Sequence, residues 1–205
     1  MRKIVVFNLV SLDGYFAGSE GEIDWHNVDD EFNKFAIEHT KTFGTILFGR
    51  VTYQMMESFW PARIATQNVA GGPKAAKDPK MSKEDLKIAK IINNVEKIVF
   101  SKTLKKTYET PVWKNIRLYN EIVPEEIRKR KQKPGQDIEI FGSGTIVQQF
   151  TNLGLIDEYQ LMVNPVILGE GKPMFKDIKE RLKLKLLKTR TFKNGNVLLY
   201  YVPKH

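Results

Sequence analysis

The chain has 205 residues, 41% of them apolar and 28% charged, with no cysteine and a net charge of +9. That length and composition suit one globular domain. The lack of cysteine excludes disulfides, thiolate nucleophiles and cysteine-held metals, and three scattered histidines (His26, His39 and His205) are too few for a histidine-based metal site. No run approaches 18 apolar residues, which predicts no transmembrane helix, and the absence of cysteine is compatible with a cytoplasmic location. The cationic excess gathers at residues 74–90, 128–133 and 172–193. It reads as a solvated basic surface in preference to a nucleic-acid interface.

In chain order, MRKIVVFNLVSLDG opens with an apolar run broken by Asn8, Ser11 and Asp13. It lacks a small-residue cleavage site, so it reads as a first buried strand. From residue 29 to 43, Phe32, Phe35, Ala36, His39 and Phe43 recur at helical spacing, with Asp29 or Asp30 to cap the start. His39 on that face reads as structural. TILF at 45–48, KIVF at 97–100 and IEIF at 138–141 are consecutive apolar runs, as in strands covered on both faces. Residues 61–81 are polar and Gly/Pro-punctuated, and predict a long surface loop able to cover a site. Ser82 and Asp85 resemble a capping box opening a helix through Ile92. Pro124, Glu125 and Glu126 suit a helix first turn, and residues 144–153 predict another helix with Gly154 to stop it. Residues 157–168 read as a strand running into a loop. The runs at 183–192 and 196–202 flank Asn194-Gly195, a hairpin signal. The expected fold is α/β: a mostly parallel sheet closed by antiparallel strands.

Three predicted strands end in glycine and polar residues: SLDGY at 11–15, FGRVTY at 48–53 and FGSGT at 141–145. In open α/β sheets ligands bind beyond the carboxyl ends of strands, so three such ends point to one cleft. FGSGT is a strand, a glycine turn and a helix start. Glycines admit a phosphate closely, and helix N–H groups receive its charge. Arg50 and Thr52 stand at a second helix start, and Ser101 and Lys102 lie just past a third strand. Each also reads as an ordinary turn or cap, with a solvated cation. Together they meet the needs of a dinucleotide: a pyrophosphate bridge and, for NADP, a 2′-phosphate. Hydrogen bonds to charged groups contribute about 1.5–3 kcal/mol each, so Arg50 and Lys102 could favour NADPH over NADH by roughly a hundredfold. No G-x-G-x-x-G follows the first strand, which argues against a Rossmann dehydrogenase.

These segments resemble the dihydrofolate reductase-like superfamily, and most closely the family named for the C-terminal reductase domain of the bifunctional deaminase-reductase of riboflavin synthesis. The resemblance rests on SLDGYFAG at 11–18 with IDW at 23–25, ILFGRVTYQMM at 46–56, KIVFSKTL at 97–104, and the stretch from 138 to 175. It implies a dihydrofolate reductase-like fold over residues 1–205: a mixed, mostly parallel sheet with helices on both faces and a C-terminal antiparallel hairpin. It implies an NADPH-dependent reductase of a small heterocyclic or carbonyl substrate, similar to the 5-amino-6-(5-phosphoribosylamino)uracil reductase of that pathway. Carried onto this chain, Gly49, Arg50 and Thr52 would meet the cofactor's phosphates and Ser101 and Lys102 its adenosine end. Gly142, Ser143, Gly144 and Thr145 would cradle the pyrophosphate. Asp13 would stand near the nicotinamide, as a proton donor or substrate-orienting acid, or else as a turn residue before Gly14. Trp25, Tyr53 and Trp60 offer flat surfaces to a heterocycle. Homodimerisation is implied by the resemblance alone.

Two departures limit the likeness. There is no deaminase domain and no zinc signature, so the chain is not the bifunctional enzyme. The helix after the first strand gives no clear match to the pterin-binding carboxylate of dihydrofolate reductases. A non-catalytic nucleotide sensor using the same cleft is the alternative, with a nucleic-acid-binding protein behind it.

Overall fold

The computed structural model describes residues 1–65 and 83–204. Its main sheet has eight strands. β1 (Ile4–Val10) lies between β6 (Asp137–Phe141) and β7 (Glu158–Val163), both parallel to it. β3 (Phe43–Gly49) joins β6 to β4 (Glu96–Phe100), and β5 (Ile116–Tyr119) closes that edge, all in parallel. Beyond β7 come β10 (Val197–Pro203) and the edge strand β9 (Leu184–Thr191), paired antiparallel. A separate ribbon pairs β2 (Tyr15–Ala17) with β8 (Lys172–Pro173). The mixed sheet and its closing hairpin are those expected from the sequence.

The consecutive apolar runs are explained by cover on both faces. On one face, Ile127 of α4 (Pro124–Gln132) and Ile146, Val147 and Phe150 of α5 (Gly144–Asn152) pack with Ile4, Val6 and Ile140. On the other, α1 (Asp30–Thr40), α2 (Arg50–Ala65) and α3 (Lys83–Asn94) cover Ile46, Phe48 and Val99. Asp29 caps α1 as expected, its side chain accepting from the Phe32 N–H at 2.8 Å. Pro124 opens α4, and Lys129, Arg130 and Lys131 stand at its carboxyl end, where cations complement the dipole.

One expectation needs correction. Residues 61–65 continue α2 instead of opening a loop, with Pro61 inside the helix. Packing carries the helix past the proline: Trp60 joins the core cluster with Met56, and its carbonyl accepts from Asn93 Nδ2. The rest of the expected loop and the Ser82 cap lie outside the described residues. The hairpin loop is residues 193–195, the gap between the two expected runs, with the Phe192 N–H donating to the Asn196 carbonyl across it. Strands β2, β5 and β8, of three, four and two residues, were not expected; they are too short for a periodic signal.

One polar pair lies within the apolar contact of α1 with the sheet. His39 Nε2 and Glu139 Oε1 are 2.8 Å apart, and Glu139 is 1% exposed. The rings of Phe7, Phe35 and Phe43 surround the imidazole, with centroids 4.4, 5.4 and 5.9 Å away. Burial raises the Glu139 carboxyl above its ordinary pKa, and His39 pulls it back. Removing one partner of such a pair strands the other. His39→Leu should therefore lower stability by about 3–5 kcal/mol in urea unfolding. With His39 gone, the folded carboxyl holds a proton that the unfolded chain releases above about pH 4.3. The variant's deficit should be smallest below that pH and grow as pH rises through the raised folded value. A deficit under about 1 kcal/mol, flat with pH, would show that the pair does not stabilise the fold.

Candidate functional site

The carboxyl ends of β1, β3, β4 and β6 open into one cavity of about 990 Å³. Its wall includes every residue expected to hold a nucleotide: Gly49, Arg50, Thr52, Ser101, Lys102, Gly142, Ser143, Gly144 and Thr145. Among the described residues three cations line it, Arg50, Lys102 and Lys172, against the two acids Asp85 and Glu121. Lys102 has no acidic partner among the described residues, whereas Arg50 Nη1 donates to Gln54 Oε1 at 3.2 Å.

The two glycine turns are bonded to each other. The Gly49 N–H donates to Ser143 Oγ at 2.7 Å, and the Ser143 N–H donates to Thr52 Oγ1 at 3.1 Å. Ser143 therefore sits at φ 54°, ψ 65°, a left-handed conformation that is uncommon outside glycine and is held by surrounding contacts. Its side chain does not cap α5, since it is turned to Gly49. The hydroxyls of Ser143 and Thr52 thus build the scaffold as acceptors. Gly142, at φ +58°, leaves room for Thr52: a Cβ there would stand 2.9 Å from Thr52 Cγ2. A Cβ on Gly144 would stand 2.6 Å from the Phe16 ring. The close approach of β2 to the start of α5 thus requires glycine.

At the third strand end, Ser101 Oγ accepts from the N–H groups of Thr103 and Leu104, at 3.2 and 2.9 Å. That hydroxyl closes an ordinary turn, and Lys102 is the exposed group beside it.

Asp13, Trp25 and Tyr53 are absent from the cavity wall, unlike Trp60, which lines it. The Asp13 carboxylate accepts from the N–H groups of Leu168 and Gly169, at 3.2 and 2.8 Å. A hydrogen bond from Ser11, with those backbone donors, holds it below the ordinary carboxylate range. Asp13 ties two turns together. Trp25 Nε1 donates to the Glu22 carbonyl at 3.3 Å, and its ring lies edge-on to His26. Tyr53 is a core residue, 1% exposed, donating to Glu57 Oε1 at 2.6 Å and accepting from Trp113 Nε1 at 3.4 Å. Burial, with Glu57, pushes its phenol pKa up.

Several wall residues were not foreseen. Asn8 interrupts the β1 apolar run, is 5% exposed and reaches the Gly142 carbonyl at 3.5 Å. A polar residue inside a buried run was the available signal. Phe32, Asn33, Ala36, His39 and Thr40 bring one side of α1 to the cavity; their spacing reads equally as core. His26 also lines it, and burial pushes its pKa down to about 4, so the ring is neutral near pH 7. The loop carrying His26 is pinned through Asn27. The Asn27 N–H donates to Asn164 Oδ1 at 2.9 Å, and its side chain donates to the Asn194 carbonyl at 2.6 Å. In return the Asn27 carbonyl accepts from the Asn194 and Asn196 amides.

Among the described residues no helix is long and apolar enough to cross a membrane, and no cluster of side chains could hold a metal ion. Comparison with known proteins agrees with this architecture. The model of the RibD C-terminal domain family matches residues 2–198. The uncharacterized protein YyaP of Bacillus subtilis (strain 168) is 34% identical over 200 residues, 98% of this chain and 94% of that protein. Among solved structures, a putative riboflavin biosynthesis protein from a Shewanella species superposes with a TM-score of 0.69 at 23% identity, covering 99% of both chains. The deaminase/5-amino-6-(5-phosphoribosylamino)uracil reductase of Thermotoga maritima gives 0.63 at 18% identity, with 99% of this chain on 57% of that one. Dihydrofolate reductase from Enterococcus faecalis, complexed with NADP(H), gives 0.59 at 15% identity, covering 99% and 97% of the two chains. At such identities these structures speak to the fold alone. The family match across almost the whole length, on a dihydrofolate reductase-like sheet, establishes that the chain belongs to the RibD C-terminal domain family.

Proposed function

We propose that the chain is an NADPH-dependent reductase of a small heterocyclic or carbonyl compound. The observation that carries this reading is the bonded pair of glycine turns at the ends of β3 and β6. Beside it stand a helix start with no side-chain cap and two cations on the same wall. That donor set fits a dinucleotide. The N–H groups opening α5 would receive the pyrophosphate, helped by the helix dipole. Arg50 and Lys102 would share the 2′-phosphate that separates NADPH from NADH. The bound cofactor supplies a hydride; the chain's part is to hold it, orient the acceptor and exclude water.

The reading is tested by titrating the protein with NADPH and NADH, followed by Trp fluorescence and thermal shift. NADPH should bind tighter by roughly a hundredfold, and Arg50→Ala and Lys102→Ala should each remove about tenfold or more of that preference. Absence of binding to either nucleotide, or equal affinity for both, would overturn it. Oxidation of NADPH by an added acceptor separates an enzyme from a nucleotide sensor, which would bind and not turn over.

A homodimer belongs to the same proposal. The edge strand β9 is exposed along all eight residues and carries Leu184, Leu186 and Leu187, which are 37, 47 and 50% exposed. An open strand edge with apolar side chains invites pairing, and a second copy offers the same surface in return. Sedimentation should give a dimer at micromolar concentration and a monomer for Leu187→Glu. A monomeric wild-type protein would contradict it.

A further inference from the structure

The buried His39–Glu139 pair reaches the cavity. His39 is part of the cavity wall, although it is only 9% exposed. Its Nε2 is taken by Glu139 Oε1 at 2.8 Å, and its Nδ1 makes no hydrogen bond among the described residues. Nor is Nδ1 sealed in. Among the described residues, the sealed side-chain polar atoms without a partner are His26 Nε2, Asn93 Oδ1, Gln160 Oε1 and Asn196 Oδ1. A ring nitrogen that is neither bonded nor sealed opens on the space its residue borders, which is the cavity. Glu139 stands on β6 three residues before Gly142, about 10 Å along the strand from the glycine turn.

The pair fixes what that nitrogen can do, because the hydrogen bond at one imidazole nitrogen sets the state of the other. With two protons in the pair, Nδ1 carries one in either form: an imidazolium facing a carboxylate, or a neutral ring facing a carboxylic acid. Without the second proton the pair is an anion. Burial raises the Glu139 carboxyl above its ordinary range, and the like charge of Asp137, two residues earlier on β6, adds to the rise. The rings of Phe7, Phe35 and Phe43 around the imidazole disfavour net charge for the same reason. The surroundings hold two further charged groups. Arg190 lies over the Phe35 ring, 5.3 Å from its centroid, and Asp85 of α3 lines the same cavity. The pair keeps its second proton, and Nδ1 is a donor.

We infer that His39 Nδ1 donates a hydrogen bond to the carbonyl oxygen or imine nitrogen of the compound held in this cavity, and that it is the proton donor when that compound is reduced. The proton transfer rests on the reductase reading; the hydrogen bond does not. In the transfer the acceptor carbon takes the hydride and its oxygen or nitrogen takes the Nδ1 proton. The double bond between them becomes single, and the proposed NADPH is oxidised to NADP+. Glu139 keeps its hydrogen bond to Nε2 and bears the negative charge left behind, and solvent returns the proton through the cavity.

The test uses acetophenone and α-methylstyrene, which differ only in C=O against C=CH2, on the full chain and on the double variant His39→Phe with Glu139→Leu. Replacing both partners leaves no buried group unpaired, so the double variant should fold, and its thermal unfolding curve verifies this. In protein labelled with 15N-histidine, His39 Nδ1 should carry a proton near neutral pH. Acetophenone should move its resonance, and α-methylstyrene should not. By isothermal titration, the ratio of ketone to alkene affinity should be about tenfold higher in the wild type than in the double variant, with NADPH affinity unchanged. Turnover of an acceptor that the wild type reduces should fall about a hundredfold or more in the double variant. An Nδ1 without a proton, a resonance that acetophenone leaves unmoved, or an affinity ratio that survives in the double variant would overturn the inference. So would full turnover in the double variant, which a purely structural pair predicts. An Nδ1 engaged by acetophenone in a protein that binds no NADPH would support the hydrogen bond and remove the reductase reading.

Discussion

Two hydrogen bonds hold the site together: Gly49 N–H to Ser143 Oγ, and Ser143 N–H to Thr52 Oγ1. β3 and β6 are neighbours in the sheet, so their following turns emerge side by side. The bonds make one rigid unit of them, and they do so by holding Ser143 left-handed. A strained residue fixed by its surroundings at the mouth of a cavity is what a preorganised binding surface requires. The start of α5, freed from side-chain capping, follows from the same two bonds.

Much of this was legible in the chain, for identifiable reasons. A short run of consecutive apolar residues such as IVVF suits a strand covered on both faces. FGRVT and FGSGT announce strand, glycine and helix start in five letters each. What was not legible depends on partners distant in sequence. Asp-Gly at 13–14 reads the same whether the carboxylate faces a ligand or, as here, the N–H groups of Leu168 and Gly169, 155 and 156 residues away. Tyr53 follows the glycine turn directly, yet the helix turns it into the core against Trp113. The stripe of α1 from Phe32 to Thr40 looked like core because periodicity cannot tell a packed wall from a cavity wall. His39 was correctly read as structural in its contacts; that it also borders the cavity could not be read from spacing.

The cavity is chemically divided. Its glycine-turn side combines backbone donors with Arg50 and Lys102, and among the described residues its α1–α2 side is rich in aromatic and thioether groups. Rigidity on both sides has separate sources. The bonded turns fix the first, and the asparagine network around Asn27 pins the loop leading into α1 on the second.

The most direct measurement is a crystal structure of the protein soaked with NADPH. The expected result is pyrophosphate density over the first residues of α5, the 2′-phosphate between Arg50 and Lys102, and the nicotinamide turned toward the α1–α2 side. A nucleotide bound elsewhere, or a cavity left empty at saturating NADPH, would contradict the assignment of this cavity to a reductase.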